Sequence, residues 1–289
     1  MAERTDYDSD VEIKWCPGCG NFGILDAMKD ALFNLDISPE KILIISGIGQ
    51  AAKTPHYLKC NLFHALHGRA LPLATGAKIA NHELTILVNS GDGDCYGEGG
   101  NHFIHAVRRN IDITLLVHNN KIYGLTKGQA SPTSDEGVVT KMQSEGVISE
   151  TFNPLSVALA LGAGFVARGF SGKTGHLSRI IQEGIKHKGL SLIDILQPCV
   201  SFNHLNTFDW YRKRVWDLFE EGYIPDDFNK AMELAGMWGD KIPIGIIYQK
   251  EKPSYTDKIH KLKEGVLVSG KYLPKSPRPS APMTASVIA

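Results

Sequence analysis

ELTILVNSGDGDCYGEGGNHFIHAVRRNIDITLLVHNN, running from Glu83 to Asn120, decides what kind of fold this chain adopts. ELTILVNS (Glu83 to Ser90) and DITLLVHN (Asp112 to Asn119) are short, β-branched and apolar on both faces, as strands of a parallel sheet covered on both sides are. Between them a glycine-rich turn leaves the first strand and opens a helix over Gly100 to Arg109, where Arg108 and Arg109 offset the dipole at its end. Strand, turn, helix and strand in that order make one unit of a layered α/β structure.

The same rhythm extends outward. KILIIS (Lys41 to Ser46), FVARG (Phe165 to Gly169) and LSLIDILQ (Leu190 to Gln197) read as further buried strands, with helical stretches over Phe22 to Leu35, Pro154 to Leu161 and Gly175 to Lys188. The expected fold is a doubly wound, mostly parallel α/β sheet over residues 1–201. Beyond it, residues 202–289 are expected to form a C-terminal helical arm (FDWYRKRVWDLFEEGY) and an extended Pro/Ser/Ala-rich tail (KSPRPSAPMTASVIA) that pack on a partner.

Composition narrows the function. With 289 residues, 43% hydrophobic and 21% charged, the chain can bury a large core. Lys plus Arg and Asp plus Glu both number 31, so there is none of the basic excess of a nucleic-acid binder. No apolar run reaches the roughly 18–20 residues of a membrane span, and the acidic start AERTDYDSDVE is unlike a targeting peptide, so a cytoplasmic location is expected. Five cysteines are an odd number in a chain too long to need staples, which favours metal ligation over disulfides for those that cluster.

Ligands of such sheets bind beyond the carboxyl ends of the strands. Four segments would meet there: SGIGQ, SGDGDCYGEGG, HNNKIYGLTKGQ and QPCVSFN. Amides of a glycine turn and a helix start suit a diphosphate, and Asp92, Asn120 and the carbonyl of Ile122 offer three oxygens to a Mg²⁺ that phosphate oxygens would complete. A GxG alone follows many strands for structural reasons; the GDG followed by NN after the next strand is the specific signal. WCPGCGN supplies a CxxC, Cys16 and Cys19, which serves an iron–sulfur cluster or a zinc ion equally well by spacing.

The GDG…NN pattern resembles the diphosphate-binding signature of thiamine diphosphate enzymes. The likeness continues through WCPGCGN, SGIG, LHGRALPLATG, GDGD, RRNIDITLLVHNN, YGLTKGQASPT and QPCVSFN, in that order over Trp15 to Asn203, and resembles the β subunit of 2-oxoacid:ferredoxin oxidoreductases, the 2-oxoglutarate type included. The resemblance implies decarboxylation of a 2-oxoacid to an acyl-CoA, or the reverse carboxylation. Coenzyme A would be co-substrate and a 4Fe-4S cluster would pass electrons to ferredoxin. Gly47, Ile48, Gly49, His67, Gly91, Gly93, Asp94, Leu125 and Thr126 would line the cofactor, with Asp92, Asn120 and Ile122 on its Mg²⁺. An α subunit would supply the activating glutamate, which leaves Glu98 here the role of capping a helix, and two αβ pairs would assemble.

His67 either touches the substrate or is a packed histidine; Arg69 either pairs a carboxylate or forms a structural ion pair. Lys127, after the NN motif, is expected to face the same pocket and hold the distal carboxylate of 2-oxoglutarate, the alternative being a surface lysine. The resemblance implies four cluster thiolates. Cys16, Cys19 and Cys199 match, but Gln50 stands where the family has a cysteine. Cys60 is the expected replacement; a non-thiolate ligand or loss of the cluster are the other readings. Cys95 reads as a small packed residue. Pyruvate or another 2-oxoacid is the alternative substrate. A cluster-free thiamine decarboxylase would need its own activating glutamate, and a metal-binding interaction module would leave Asp92 and Asn120 without purpose.

Overall fold

In the computed structural model of the chain, residues 3–269 are described, so the expected Pro/Ser/Ala-rich tail, 275–289, lies outside the described residues. Eight strands form one sheet: β1 (Ile42–Ser46), β2 (Asn61–His64), β3 (Thr85–Gly91), β4 (Ile113–Asn119), β7 (Phe165–Phe170), β8 (Leu190–Leu196), β9 (Val215–Asp217) and β10 (Ile242–Gln249). A two-stranded ribbon, β5 (Ile122–Tyr123) and β6 (Gln129–Ala130), stands beside it. The order across the sheet is β2-β1-β3-β4-β8-β7-β10-β9, and every neighbouring pair is parallel except β10 with β7.

Helices cover both faces. α1 (Asn21–Asn34) and α5 (Thr174–Lys186) bury Ile24, Met28, Leu32, Ile180 and Ile181 against Leu87, Leu116 and Ile193. On the other face α2 (Ala70–Ala80), α3 (Gly100–Arg109), α4 (Pro154–Ala160) and α7 (Phe228–Gly236) pack on Val88, Leu115, Val117 and Leu192. Successive strand residues thus serve opposite cores, which is why these strands read as unbroken apolar runs. α4 begins with Pro154 behind Asn153, whose side chain accepts from Ser156 N at 3.1 Å.

The expected strands and helices of the parallel sheet are all present, and strands from beyond residue 201 join the same sheet. Instead of leaving the domain as an arm, the following segment returns to the sheet. β10 lies antiparallel against β7, β9 pairs with β10, and a short helix α6 (Phe208–Arg212) closes the cluster of Phe170, Tyr211 and Ile244. IPIGIIYQ carries a proline, a glycine at φ +131° and a register shift between Ile246 and Tyr248, which break the pattern that a strand shows in sequence. No described helix is long and apolar enough to cross a membrane.

Candidate functional site: two joined cavities at the carboxyl edge

The turns after β1, β3 and β4 enclose a cavity of about 80 Å³. Its wall includes Ile48, Gly49, His67, Gly91, Asp92, Gly93, Asp94, Asn120, Ile122, Leu125 and Thr126, so all the residues expected at the cofactor come together except Gly47. Gly47 acts from behind: a Cβ there would stand 1.9 Å from Asp94 Oδ2. Gly91 and Gly49 differ, because a Cβ on either would meet no protein atom within 4 Å and would project into open space. The cavity therefore has a floor cleared for something other than the protein.

After β3 the chain does not enter α3 directly. It makes a π-helical turn over Gly93–Glu98, an uncommon element that concentrates at functional sites. The turn buries Asp92 and Asp94 in different ways. Asp94 is a structural clasp: Oδ1 accepts from Ile48 N at 3.1 Å and Gly68 N at 2.7 Å, lies 3.0 Å from His67 Nδ1, and Oδ2 accepts from Ser90 Oγ. Asp92 faces the cavity, its Oδ2 engaged by the hydroxyls of Ser131 and Thr133. Burial pushes the Asp92 carboxyl above the usual carboxylate range, a cost that a bound cation would reverse.

Sequence reasoning missed the polar network behind Asp92. Thr133 Oγ1 lies 2.6 Å from Asp92 and 2.9 Å from Asn119 Oδ1, and Asn119 Nδ2 reaches both oxygens of Asp194 at 3.1 and 3.2 Å. Tyr96 Oη donates to Asp194 at 2.7 Å; burial still lifts the Asp194 carboxyl to about 6. The sequence signals were the polar SPTS that follows TKGQA and an aspartate inside the apolar strand LSLIDIL.

His118, also on the cavity wall, is buried between Asn21 (Nδ1, 2.8 Å) and Asn89 (Nε2, 2.9 Å), and burial holds its pKa down to about 3. The unfolded ring titrates near 6.5. Below that pH the unfolded chain takes up a proton that the folded chain refuses, so stability is lost as pH falls from about 6.5 towards 3. Relative to His118→Gln, the wild type should lose about 2 kcal/mol between about pH 7 and about pH 5, measured by urea unfolding at both. A pH-independent difference would contradict a buried neutral ring.

A second cavity of about 30 Å³ adjoins the first and is lined by Cys16, Cys19 and Cys199 together with Gln50. Cys16-Pro17-Gly18-Cys19 is a tight turn closed by Cys19 N to Cys16 O at 3.0 Å, with Gly18 at φ +79°. Pro then Gly is the sequence such a turn requires, and both its cysteines line the small cavity. Gly20 N donates to Pro198 O at 3.1 Å and docks the turn beside Cys199 at the end of β8. Donors already aim at the sulfurs: Gln197 Nε2 at Cys19 (3.4 Å) and Ser201 Oγ at Cys16 (3.1 Å). Burial pushes the Cys19 thiol up to about 11, with its sister thiols adding to the shift.

Cys60 does not join them. It sits just before β2, whose parallel register pairs Asn61 with Leu43, at the amino edge of the sheet. From there to the carboxyl edge is roughly 13 Å of strand. The thiol packs in the α1 core, and burial pushes it up to about 12. Among the described residues no group of three or more Cys, His, Asp or Glu side chains is drawn together as a closed metal site. Lys127 and Arg69 also fall outside the first cavity. Lys127 is exposed in an adjoining cavity of about 460 Å³ beside Phe202 and Asn203, and Arg69 is exposed at the start of α2. Cys95 is packed in the core, as its neighbours suggest.

Residues 47–195 match the thiamine pyrophosphate enzyme C-terminal TPP-binding domain, and residues 199–264 match the C-terminal part of the pyruvate ferredoxin oxidoreductase beta subunit. Over 249 residues the chain is 47% identical to the 2-oxoacid:ferredoxin oxidoreductase subunit beta of Saccharolobus solfataricus, covering 82% of each chain. The chain belongs to the β-subunit family of 2-oxoacid:ferredoxin oxidoreductases. Another relative of this family member is the 2-oxoglutarate oxidoreductase subunit KorB of Mycobacterium tuberculosis, 46% identical over 208 residues, 72% of this chain and 56% of that one. Among solved structures it is similar to a 2-oxoglutarate:ferredoxin oxidoreductase from Magnetococcus marinus with 2-oxoglutarate, coenzyme A and succinyl-CoA bound. The TM-score is 0.88 at 38% identity, over 91% of this chain and 90% of that one. The first cavity thus belongs to a thiamine-diphosphate-binding domain, and the family's β subunits work with a partner subunit.

Proposed function

We propose that this chain is the β subunit of a cytoplasmic 2-oxoglutarate:ferredoxin oxidoreductase, in which 2-oxoglutarate and coenzyme A become succinyl-CoA, CO₂ and a proton while two electrons pass to oxidised ferredoxin. The observation that carries this reading is the shared wall: Gln50, Asn120 and Gly124 line both the cavity of the thiamine domain and the cavity of the three thiols. Carbon chemistry and electron exit are then separated by single side chains.

Thiamine diphosphate, when bound, supplies the nucleophilic carbon and electron sink for decarboxylation, and an iron–sulfur cluster supplies a one-electron exit. The chain's residues do the rest. Asp92, Asn120 and the carbonyl of Ile122 would hold Mg²⁺, which typically takes one or two carboxylates and leaves its remaining positions to phosphate and water. The cleared space at Gly91 and Gly49, with the amides opening the π-helical turn, would admit the diphosphate. Asp94 fixes His67 through Nδ1 and leaves Nε2 for the substrate. Cys16, Cys19 and Cys199 would bind the cluster, with Gln197 and Ser201 tuning two of the sulfurs.

The cavity of about 80 Å³ is well below the roughly 300–1,000 Å³ that encloses a whole small ligand, and among the described residues no glutamate lines it. Both facts support an α subunit that closes the site and brings the activating glutamate. Edge strand β2 and the loop after it expose Leu62 (46%), Phe63 (52%) and Leu66 (76%) close to His67, an apolar surface suited to that partner. Two such αβ pairs are the proposed assembly.

The relatives named for 2-oxoglutarate favour that substrate over pyruvate. Lys127, in the adjoining cavity, would hold the distal carboxylate that pyruvate lacks. Lys127→Ala should raise KM for 2-oxoglutarate about tenfold, the size of a charge-assisted hydrogen bond, and leave KM for pyruvate within about twofold. Equal effects on both substrates would refute the assignment of Lys127.

A further inference from the structure

We propose that the metal centre of this chain is held by three thiolates and that its fourth corner is closed by the side-chain oxygen of Gln50. The inference rests on the cluster reading above and concerns the one position at which this chain departs from the family pattern.

Gln50 lines the same small cavity as Cys16, Cys19 and Cys199, and its Oε1 is buried without a hydrogen-bond partner. An acceptor left that way costs about 1–3 kcal/mol, so buried oxygens in native proteins almost always have a partner, and a metal centre bound among the three thiols that share this wall would supply one. The residue is also held in place. Trp15, next to Cys16, donates its indole N–H to the Gln50 carbonyl at 2.8 Å and stacks edge-on against Tyr57, which ends the 3₁₀ turn that begins after Gln50. The cysteine turn and Gln50 therefore form one unit.

The alternatives are committed elsewhere. Cys60 lies at the opposite edge of the sheet and Cys95 in the core, so no fourth thiol reaches the site, and among the described residues no histidine lines the cavity to make the Cys₃His set of a zinc site. The amide oxygen of Asn120 accepts from Ile122 N at 3.0 Å; Gln197 and Ser201 meet the sulfurs as donors. A carboxamide oxygen is a harder and weaker ligand for cluster iron than a thiolate, and it carries no charge. One iron should accordingly be exchangeable, and the reduction potential should lie above that of the same site with four thiolates.

The test is iron and sulfide analysis, EPR and redox titration of the anaerobic αβ complex before and after ferricyanide with EDTA. In the wild type one iron in about four should leave and a three-iron EPR signal should appear. Gln50→Cys should keep all its iron under the same treatment and titrate at a more negative potential, and Gln50→Ala should lose iron at least about tenfold faster than the wild type. Equal iron loss in wild type and Gln50→Ala, or iron loss provoked by Cys60→Ser alone, would overturn the role of Gln50. A complex with no iron or sulfide at all would overturn the cluster reading itself, a result distinct from either.

Discussion

Asp92→Asn should abolish thiamine-diphosphate-dependent turnover of the αβ complex, by at least about a hundredfold, without unfolding the chain. The side chains have the same shape, and the Ser131 and Thr133 hydroxyls that now donate to Oδ2 can also accept from an amide. Burial already disfavours the charged carboxylate, so its removal costs the empty protein little. What disappears is, among the described residues, the one carboxylate of the cavity that is not tied up as a clasp, since both oxygens of Asp94 are held by the loops around it. Thiamine diphosphate with Mg²⁺ should raise the Tm of the wild-type complex and leave that of Asp92→Asn unmoved, because a ligand stabilises only the form it binds. A variant that keeps the full shift would show that the cation is held elsewhere.

Cys199→Ser should reduce ferredoxin reduction to the level of the assay blank while the Tm shift with thiamine diphosphate persists. Cys199 follows β8 and lines the small cavity with Cys16 and Cys19, so its loss opens the proposed metal site without touching Asp92 or Asn120. Cys60→Ser is the control. Its thiol packs in the α1 core at the other edge, and its replacement should cost about 1 kcal/mol of stability and leave electron transfer within about twofold. A reversed pattern, Cys60 essential and Cys199 dispensable, would contradict the placement of the site.

The parts legible in the sequence were those governed by local rules. β1, β3, β4, β7 and β8 show as apolar runs because each is buried on both faces, and the Pro-Gly pair inside CPGC announces its own turn. β2 was silent because its four residues are all exposed at the sheet edge. β9 and β10 were silent because one is three residues long and the other is interrupted by Pro243 and Gly245. The site divided in the same way. Gly91 ends β3 and Asp92 and Asn120 follow strands, so their spacing alone places them at one cavity; Ser131, Thr133 and Asp194 reach Asp92 directly or through Asn119 by folding across distant segments, which no spacing encodes. Cys60 and Lys127 lie apart from the cavities expected for them: a thiol's suitability as a ligand says nothing of which edge of the sheet it reaches, and nearness to the NN motif says nothing of which cavity Lys127 lines.

The central claim is that carbon chemistry at Asp92 and Asn120 is wired to a metal centre at Cys16, Cys19 and Cys199. Its most direct measurement is the visible spectrum of the anaerobically purified αβ complex on addition of 2-oxoglutarate and coenzyme A without ferredoxin. The cluster absorption should be present, should bleach only when thiamine diphosphate and Mg²⁺ are bound, and should recover when oxidised ferredoxin is added. A colourless complex carrying zinc, or a coloured one that the substrate never bleaches, would contradict it.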